Sequence, residues 1–132
     1  MTERPPERFP GDPPSPYEVR YGFSRVVRAG SFVLVGGTTS VGPGGSVMGE
    51  TPYEQTAEIL EKVVHELERV GLGPAAVVST RVYVTDISRA DEVGRAHGDV
   101  FGEFRPLMTM VEVSGLIDPR MMVEIEAVAW AG

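Results

Sequence analysis

Three glutamates stand in the last two apolar segments of this 132-residue sequence, where buried strands rarely carry charge. Glu112 lies in RPLMTMVEVSG, and Glu124 and Glu126 lie two residues apart in MMVEIEAVAW. Because side chains alternate along a strand, Glu124 and Glu126 share one face. Two neighbouring carboxylates raise the pKa of one of them, which suits a general acid or base. An ion-pair network across the sheet or between subunits fits the same pattern.

Other residue types that carry out chemistry are scarce. The sequence has no cysteine, which excludes disulfides, thiolate catalysis and cysteine-ligated metals. The two histidines, His65 and His97, are not spaced as metal ligands, so we expect neither a metal nor a cofactor. His97 borders the apolar stripe of a predicted helix, where a packed, hydrogen-bonded histidine is the simpler interpretation and entry into a cleft is the alternative. The glycine-rich segment at 42–49 lacks the Lys-Ser/Thr pair of a phosphate-binding loop and is interpreted as a turn.

Charge and composition disfavour two kinds of binding partner and indicate where the protein is found. The formal net charge is −7 and no cluster of basic residues is present, which disfavours binding to nucleic acid or to anionic membranes. No apolar stretch approaches the roughly 18 residues of a membrane-spanning helix, and no signal peptide is recognised, so we expect a cytoplasmic protein. The length indicates one domain.

The N-terminal segment differs in composition from the rest. Residues 1–16 contain six prolines, which lack an N–H group and are excluded from helix interiors and strand ladders. We therefore predict an extended arm at 1–16 that lies outside the sheet and helices. A single domain at 17–132 follows it.

Within that domain the hydrophobic pattern predicts seven elements in the order β-β-α-β-α-β-β. Two strands flank a turn at Ala29-Gly30, and the first helix is capped by Thr51 with Pro52 and Glu54 in its first turn. AAVVSTRVYVTDI alternates as a strand. A second helix starts at Ser88, and two strands complete the chain. Since each helix has one apolar stripe, both helices should cover one face of a single mixed sheet, an α+β fold.

The opposite face of the sheet mixes carboxylates with large apolar side chains. In the final strand Glu124 and Glu126 share this face with Trp130, and in the preceding strand we assign Met108 and Met110 to it as well. Such a face is neither a normal core nor a normal solvent-exposed surface. It indicates burial against other copies of the chain in a closed oligomer.

Four segments together resemble the Rid (YjgF, reactive-intermediate deaminase) family. They are YEQTAEILEKVVHELERVG, VVSTRVYVTDI, the proline before the next strand, and VEIEAVA, and the resemblance spans about 23–129. It implies a chorismate-mutase-like protomer and a homotrimer with ligand clefts between subunits. The best-known members hydrolyse enamine and imine intermediates to 2-oxo acids and ammonia.

The resemblance also assigns residues. The family's water-positioning glutamate corresponds to Glu124, its cleft tyrosine to Phe23 in FSRVV, and a cleft glycine to Gly37. Its asparagine falls near Gly94. The arginine that clamps the substrate carboxylate is replaced by Met108, whose thioether cannot form a charged hydrogen bond.

This replacement leaves open whether another arginine takes over, and Arg105 and Arg120 are the two candidates nearby in the sequence. The expected function is binding of a small, rather apolar metabolite between subunits, with Glu124 activating water for hydrolysis of an imine or enamine. The alternatives are a non-catalytic metabolite-binding or protein-interaction trimer, and RNA cleavage, which the net charge disfavours. The candidate substrate-binding residues are Phe23, Gly37, Gly94, His97, Arg105, Met108 and Met110.

Overall fold

The computed structural model describes residues 4–132, apart from the side chain of Pro43. Six strands form one sheet: β1 (Glu7–Phe9), β2 (Val26–Ala29), β3 (Phe32–Thr38), β4 (Val77–Val84), β5 (Leu107–Glu112) and β6 (Val123–Trp130). The helices are α1 (Pro16–Tyr21), α2 (Pro52–Glu68) and α3 (Ala90–Phe101), with short 3-10 turns at Pro43–Gly45, Pro74–Ala76 and Ile87–Arg89.

The strand order across the sheet is β1-β2-β3-β6-β4-β5. Strands β4 and β5 run parallel, and the other neighbouring pairs are antiparallel. Helices α2 and α3 pack against each other, and their apolar side chains join one face of the sheet in a single core. The predicted α+β architecture, a mixed sheet with two helices on one face, is confirmed.

Helix α2 begins where the capping pattern predicts. The Oγ1 of Thr51 accepts a hydrogen bond from the Glu54 N–H at 3.1 Å and donates one to the Glu54 carboxylate at 3.1 Å. One turn later the buried side chain of Gln55 donates to the Arg120 carbonyl at 3.0 Å and accepts from the Met122 N–H at 2.8 Å. These bonds attach the start of β6 to α2, so the helix fixes the position of the following glutamate-bearing strand.

The prediction that the whole proline-rich arm stays outside the sheet was wrong for β1. Residues Glu7–Phe9 pair with β2 at the edge of the sheet, with Phe9 opposite Val26. They lie between Pro6 and Pro10, and because none of the three is a proline, their N–H groups can join an edge ladder. Residues 1–3 of the predicted arm lie outside the described residues.

Our assignment of β5 to its faces was also wrong. The parallel register places Met108 opposite Thr80 and Met110 opposite Val82, and both of these β4 residues are buried beneath the helices. Met108, Met110 and Glu112 therefore lie on the helix side of the sheet, and Met110 packs against the core. The alternation did not distinguish the two sides, because β5 carries apolar residues on both of them.

We call the opposite side of the sheet, which no helix covers, the open face. It carries Phe32 and Leu34 of β3, Ser79, Arg81 and Tyr83 of β4, Leu107, Thr109 and Val111 of β5, and Glu124, Glu126, Val128 and Trp130 of β6. Several large apolar side chains are exposed there, including Leu34, Leu107, Val111 and Trp130. The assignment of Glu124, Glu126 and Trp130 to the face away from the helices agrees with the sequence pattern.

Candidate functional site

Glu124 of β6 lies in the wall of a cavity of about 220 Å³, which we call the Glu124 cavity. Gly37 of β3, Phe23 and Arg25 from the segment before β2, and Lys62 of α2 line the same cavity. The cavity thus lies where the end of β3 meets β6. The pairing of these two strands shifts register between Val35 and Thr38, which places Gly37 against the Glu124 side chain.

Gly37 is required by the position of the Glu124 carboxylate. A Cβ atom added at Gly37 would overlap Oε2 of Glu124, whereas one added at the neighbouring Gly36 would lie 3.5 Å from the nearest atom, the Arg25 carbonyl oxygen. The missing side chain therefore makes room for the carboxylate. This is a steric reason for glycine at 37.

The surroundings of Glu124 raise the pKa of its carboxyl group. Burial raises the pKa of Glu124 above the ordinary 4.5, the nearby Arg25 guanidinium opposes this, and repulsion from Glu126 adds to it. Within residues 4–132 no hydrogen bond reaches the Glu124 carboxylate. The group is thus half-buried, holds its proton to a higher pH than an exposed glutamate, and has both oxygens available to a ligand.

The other two glutamates, Glu126 and Glu112, already accept hydrogen bonds. Tyr83 donates its hydroxyl to Oε1 of Glu126 at 2.6 Å, and the pKa of Tyr83 is raised chiefly by this bond. Glu112 accepts a hydrogen bond from the Ile87 N–H at 3.0 Å and lies on the helix side of the sheet. Of the three acids, Glu124 is the one that lines the cavity.

Arg25 is the main cation of the site, and sequence reasoning missed it. Its buried guanidinium donates through Nη1 to the Gly37 carbonyl at 2.6 Å and to Thr38 Oγ1 at 3.2 Å. Nη2 lies 3.7 Å from a carboxylate oxygen of the buried Glu18 in α1. The available signal was the place of Arg25 in FSRVV, two residues after Phe23.

Lys62 reaches the same cavity from α2. Its Nζ donates to the carbonyl oxygens of Thr39 at 2.6 Å and Val41 at 3.0 Å. Burial and the charge of Arg25 lower the pKa of Lys62 to about 8. The cavity wall therefore combines an acid with a raised pKa and an amine with a lowered one.

Among the predicted site residues, Phe23, Gly37 and Glu124 come together in this cavity, and His97 does not join them. His97 is buried between α3 and β4, where its Nε2 lies 2.8 Å from Thr80 Oγ1 and its ring packs on Phe101. Burial lowers the pKa of His97, which favours the neutral imidazole. Within the protomer it has the packed, hydrogen-bonded position that was the simpler interpretation.

The remaining predicted residues also lie elsewhere in the protomer. Gly94 lies within α3. Arg105 lies just beyond the end of α3, is exposed, and has a left-handed backbone conformation (φ 55°). Met108 and Met110 lie on the helix side of β5, across the sheet from Glu124. One chain does not bring these four residues to the Glu124 cavity.

The second candidate arginine, Arg120, is paired with a carboxylate of its own loop. Arg120 donates to the Asp118 carboxylate at 2.8 and 3.0 Å, and this pairing lowers the pKa of Asp118 to about 2.

Within the described residues, no group of three His, Asp or Glu side chains is placed to hold a metal ion. No helix in residues 4–132 is long and apolar enough to cross a membrane.

The protein is therefore a small α+β domain in which Gly37 of β3 faces Glu124 of β6. The family model described as Endoribonuclease L-PSP matches residues 15–131, and the chain belongs to this family, which also includes the YjgF and RutC proteins.

Individual relatives agree with this assignment. The crystal structure of Rv2704 from Mycobacterium tuberculosis, a member of the YjgF/YER057c/UK114 family, is 41% identical with a TM-score of 0.85, covering 96% of this chain and 99% of that one. The Streptomyces coelicolor protein SCO2049 is 41% identical over 119 residues, which is 89% of this chain and 88% of that protein. A RutC family protein of Pyrococcus horikoshii, PH0854, is 32% identical, covering 82% and 86%.

The steric argument for Gly37 predicts different outcomes for two neighbouring alanine variants. In Gly37→Ala the new Cβ should push the flexible Glu124 carboxylate into another rotamer, at a cost in unfolding free energy of about 1 kcal/mol. In Gly36→Ala the new Cβ meets only ordinary contacts, so Glu124 should keep its position. Crystal structures of the two variants, with denaturant unfolding, measure both effects. An unmoved Glu124 in Gly37→Ala contradicts the argument.

Proposed function

We propose that the protein binds a small metabolite in the Glu124 cavity and hydrolyses an imine or enamine of the reactive-intermediate type. Membership of the family supports binding of a small molecule. The observation that carries the proposed reaction is the carboxylate of Glu124, which has no hydrogen-bond partner in residues 4–132 and a raised pKa. A carboxyl group whose pKa lies closer to neutrality serves as a proton acceptor and donor in turn.

The chemistry requires one such group. Glu124 takes a proton from a water molecule as the water oxygen bonds to the carbon of the C=N group. The same proton then passes to the nitrogen, which gives a carbinolamine. Glu124 next transfers the proton of the carbinolamine hydroxyl to the nitrogen as the C–N bond breaks, and the products are a carbonyl compound and ammonia. An enamine first takes up a proton at carbon and gives up one from nitrogen to become the imine.

The two cations of the cavity, Arg25 and Lys62, already donate to protein oxygens, which favours a substrate with little charge of its own. By the family resemblance Met108 aligns with the clamp arginine, and Met108 lies outside the Glu124 cavity, so this position supplies no positive charge there. Arg25 lies beside Glu124, but its Nη1 is occupied by Gly37 and Thr38, and Glu18 lies close to its Nη2. A bidentate grip on a carboxylate would require those donors. We therefore infer a preference for a neutral, rather apolar imine over a 2-imino acid.

Assays in which a second enzyme generates the imine in solution test this reaction. An amine oxidase forms the neutral imine from a small amine, and an amino acid oxidase forms the 2-imino acid from an amino acid. The release of ammonia is followed in both assays. The protein should accelerate hydrolysis of the neutral imine more than that of the 2-imino acid. Glu124→Gln should lower the rate by about 100-fold, because proton transfer contributes at least that much.

Glu126→Gln is the matched control for this assay, since it lies two residues away on the same face and is bonded to Tyr83. It should keep at least half of the activity. Ammonia release no faster than in buffer with either imine, or full activity in Glu124→Gln, would contradict the proposed reaction and leave the non-catalytic binding module as the better account.

We also propose that the protein assembles as a homotrimer through the open face, where Leu34 is 41% exposed and Phe32 and Trp130, paired across β3 and β6, are exposed as well. Light scattering at micromolar concentration should give three protomers. Leu34→Arg should shift the population to monomers, because a charge replaces apolar surface in the contact. Ile87→Arg, at an equally exposed residue (42%) outside the open face, should leave the trimer intact. A monomeric wild-type protein overturns this proposal.

A further inference from the structure

Lys62 is the only lysine in the sequence, and the other eleven basic side chains are all arginines. Arginine stays charged at any physiological pH, whereas a lysine that is buried readily loses its proton. The one lysine is also placed unlike a surface cation. Its Nζ is turned inward from α2 onto the carbonyl oxygens of Thr39 and Val41, at 2.6 and 3.0 Å.

Lys62 lines two cavities. One is the Glu124 cavity, and the other is a larger cavity of about 520 Å³ that we call the arm cavity. The arm cavity lies between residues 12–16 of the N-terminal arm, the glycine-rich loop at 42–48 and Glu58 of α2. Its volume falls within the range of small-molecule sites, and Met48 and the arm prolines give it largely apolar walls.

A second feature of the arm cavity points to a ligand. Ser40 lines it, is only 1% exposed, and its Oγ has no hydrogen-bond partner in the described residues. Leaving a buried hydroxyl unpaired costs free energy, so such a group is normally satisfied by a partner. Ser40 sits between Thr39 and Val41, the two residues whose carbonyls bind Lys62. An amine and an unpaired hydroxyl therefore adjoin the same cavity.

The charges facing Lys62 make its neutral form accessible. Burial and Arg25 lower its pKa to about 8, while Glu66 and Glu58 on its own helix and Glu18 on α1 act in the opposite direction. At pH 7.5 a group with this pKa is neutral in about a quarter of the molecules, against about one in a thousand for an ordinary lysine. With its two N–H groups donated to carbonyls, the neutral amine keeps its lone pair for a reaction.

We propose that Lys62 is a reactive amine that captures a small, neutral aldehyde or ketone in the arm cavity as an imine. The Nζ lone pair bonds to the carbonyl carbon, and one amine proton passes to the carbonyl oxygen to give a carbinolamine. The second amine proton then passes to that hydroxyl, which leaves as water while the C=N bond forms, so one water is released and nothing is oxidised or reduced. Ser40 Oγ is the hydroxyl available to bond the departing oxygen. This reaction goes beyond the proposed hydrolysis and does not use Glu124.

Reductive trapping tests the proposal on the wild-type protein. Propanal is added with cyanoborohydride across pH 6–10, which fixes any imine as a propyl amine, and peptide mapping by mass spectrometry separates Lys62 from the α-amino group. We expect adduct at Lys62 with a rate that rises to half its maximum near pH 8. Lys62→Arg should remove this adduct. Glu124→Gln should retain it, so failure of the proposed hydrolysis would not affect the result.

An ordinary lysine provides the reference rate. The double variant Lys62→Arg/Arg8→Lys places the only lysine at the exposed Arg8 position on the edge strand. At pH 7.5 the wild-type Lys62 should react at least about tenfold faster than this reference lysine, and the difference should vanish in urea. No adduct at Lys62, a rate at or below the reference, or a midpoint near the pKa of an ordinary lysine each overturns the proposal.

Discussion

The buried guanidinium of Arg25 connects the parts of the molecule that form the site. Its Nη1 holds the Gly37 carbonyl and Thr38 at the end of β3, and its Nη2 faces Glu18 of α1. Glu18 in turn accepts hydrogen bonds from the N–H groups of Gly11 and Ser15, at 2.8 and 2.6 Å. A buried charge is stable only when it is paired and hydrogen-bonded. The arm, α1 and β3 therefore hold one another in place through this cation.

The same cation sets the balance between the two reactive groups beside it. Burial drives both Glu124 and Lys62 toward their neutral forms. Arg25 favours the ionised carboxylate and disfavours the second cation, so it opposes the effect of burial on Glu124 and adds to it on Lys62. The result is a carboxyl group suited to proton transfer, and an amine that is partly neutral near physiological pH, on the walls of adjoining cavities.

Local patterns in the sequence were sufficient to predict the helices and strands from β2 onward and the face of the sheet on which Glu124 lies, but not β1 and α1. The cap at Thr51 and the alternation of β6 placed α2 and the face of Glu124 correctly, because both depend on neighbouring residues. The faces of β5 were misassigned because its apolar residues lie on both sides, and only the register with β4 decides between them. At the start of β4, a register shift between Val77 and Ser79 buries Val77 and exposes Val78, against the simple alternation.

The role of Arg25 was missed for a similar reason. It depends on contacts between the N-terminal arm, α1 and β3, which are distant in sequence, and the arm had been assigned a place outside the sheet. Phe23, Gly37 and Glu124 were found through the family resemblance and do meet in one cavity.

Glu124, half-buried beside Gly37, keeps its proton to a higher pH than an ordinary glutamate. The direct test is a carbon-13 NMR titration of the glutamate carboxyl groups, with the Glu124 signal assigned by its loss in Glu124→Gln. The structure predicts a Glu124 carboxyl signal that titrates with a pKa clearly above 4.5. Titration at or below 4.5 would show that the carboxylate is as well solvated or paired as a surface glutamate, and would contradict the account of the site.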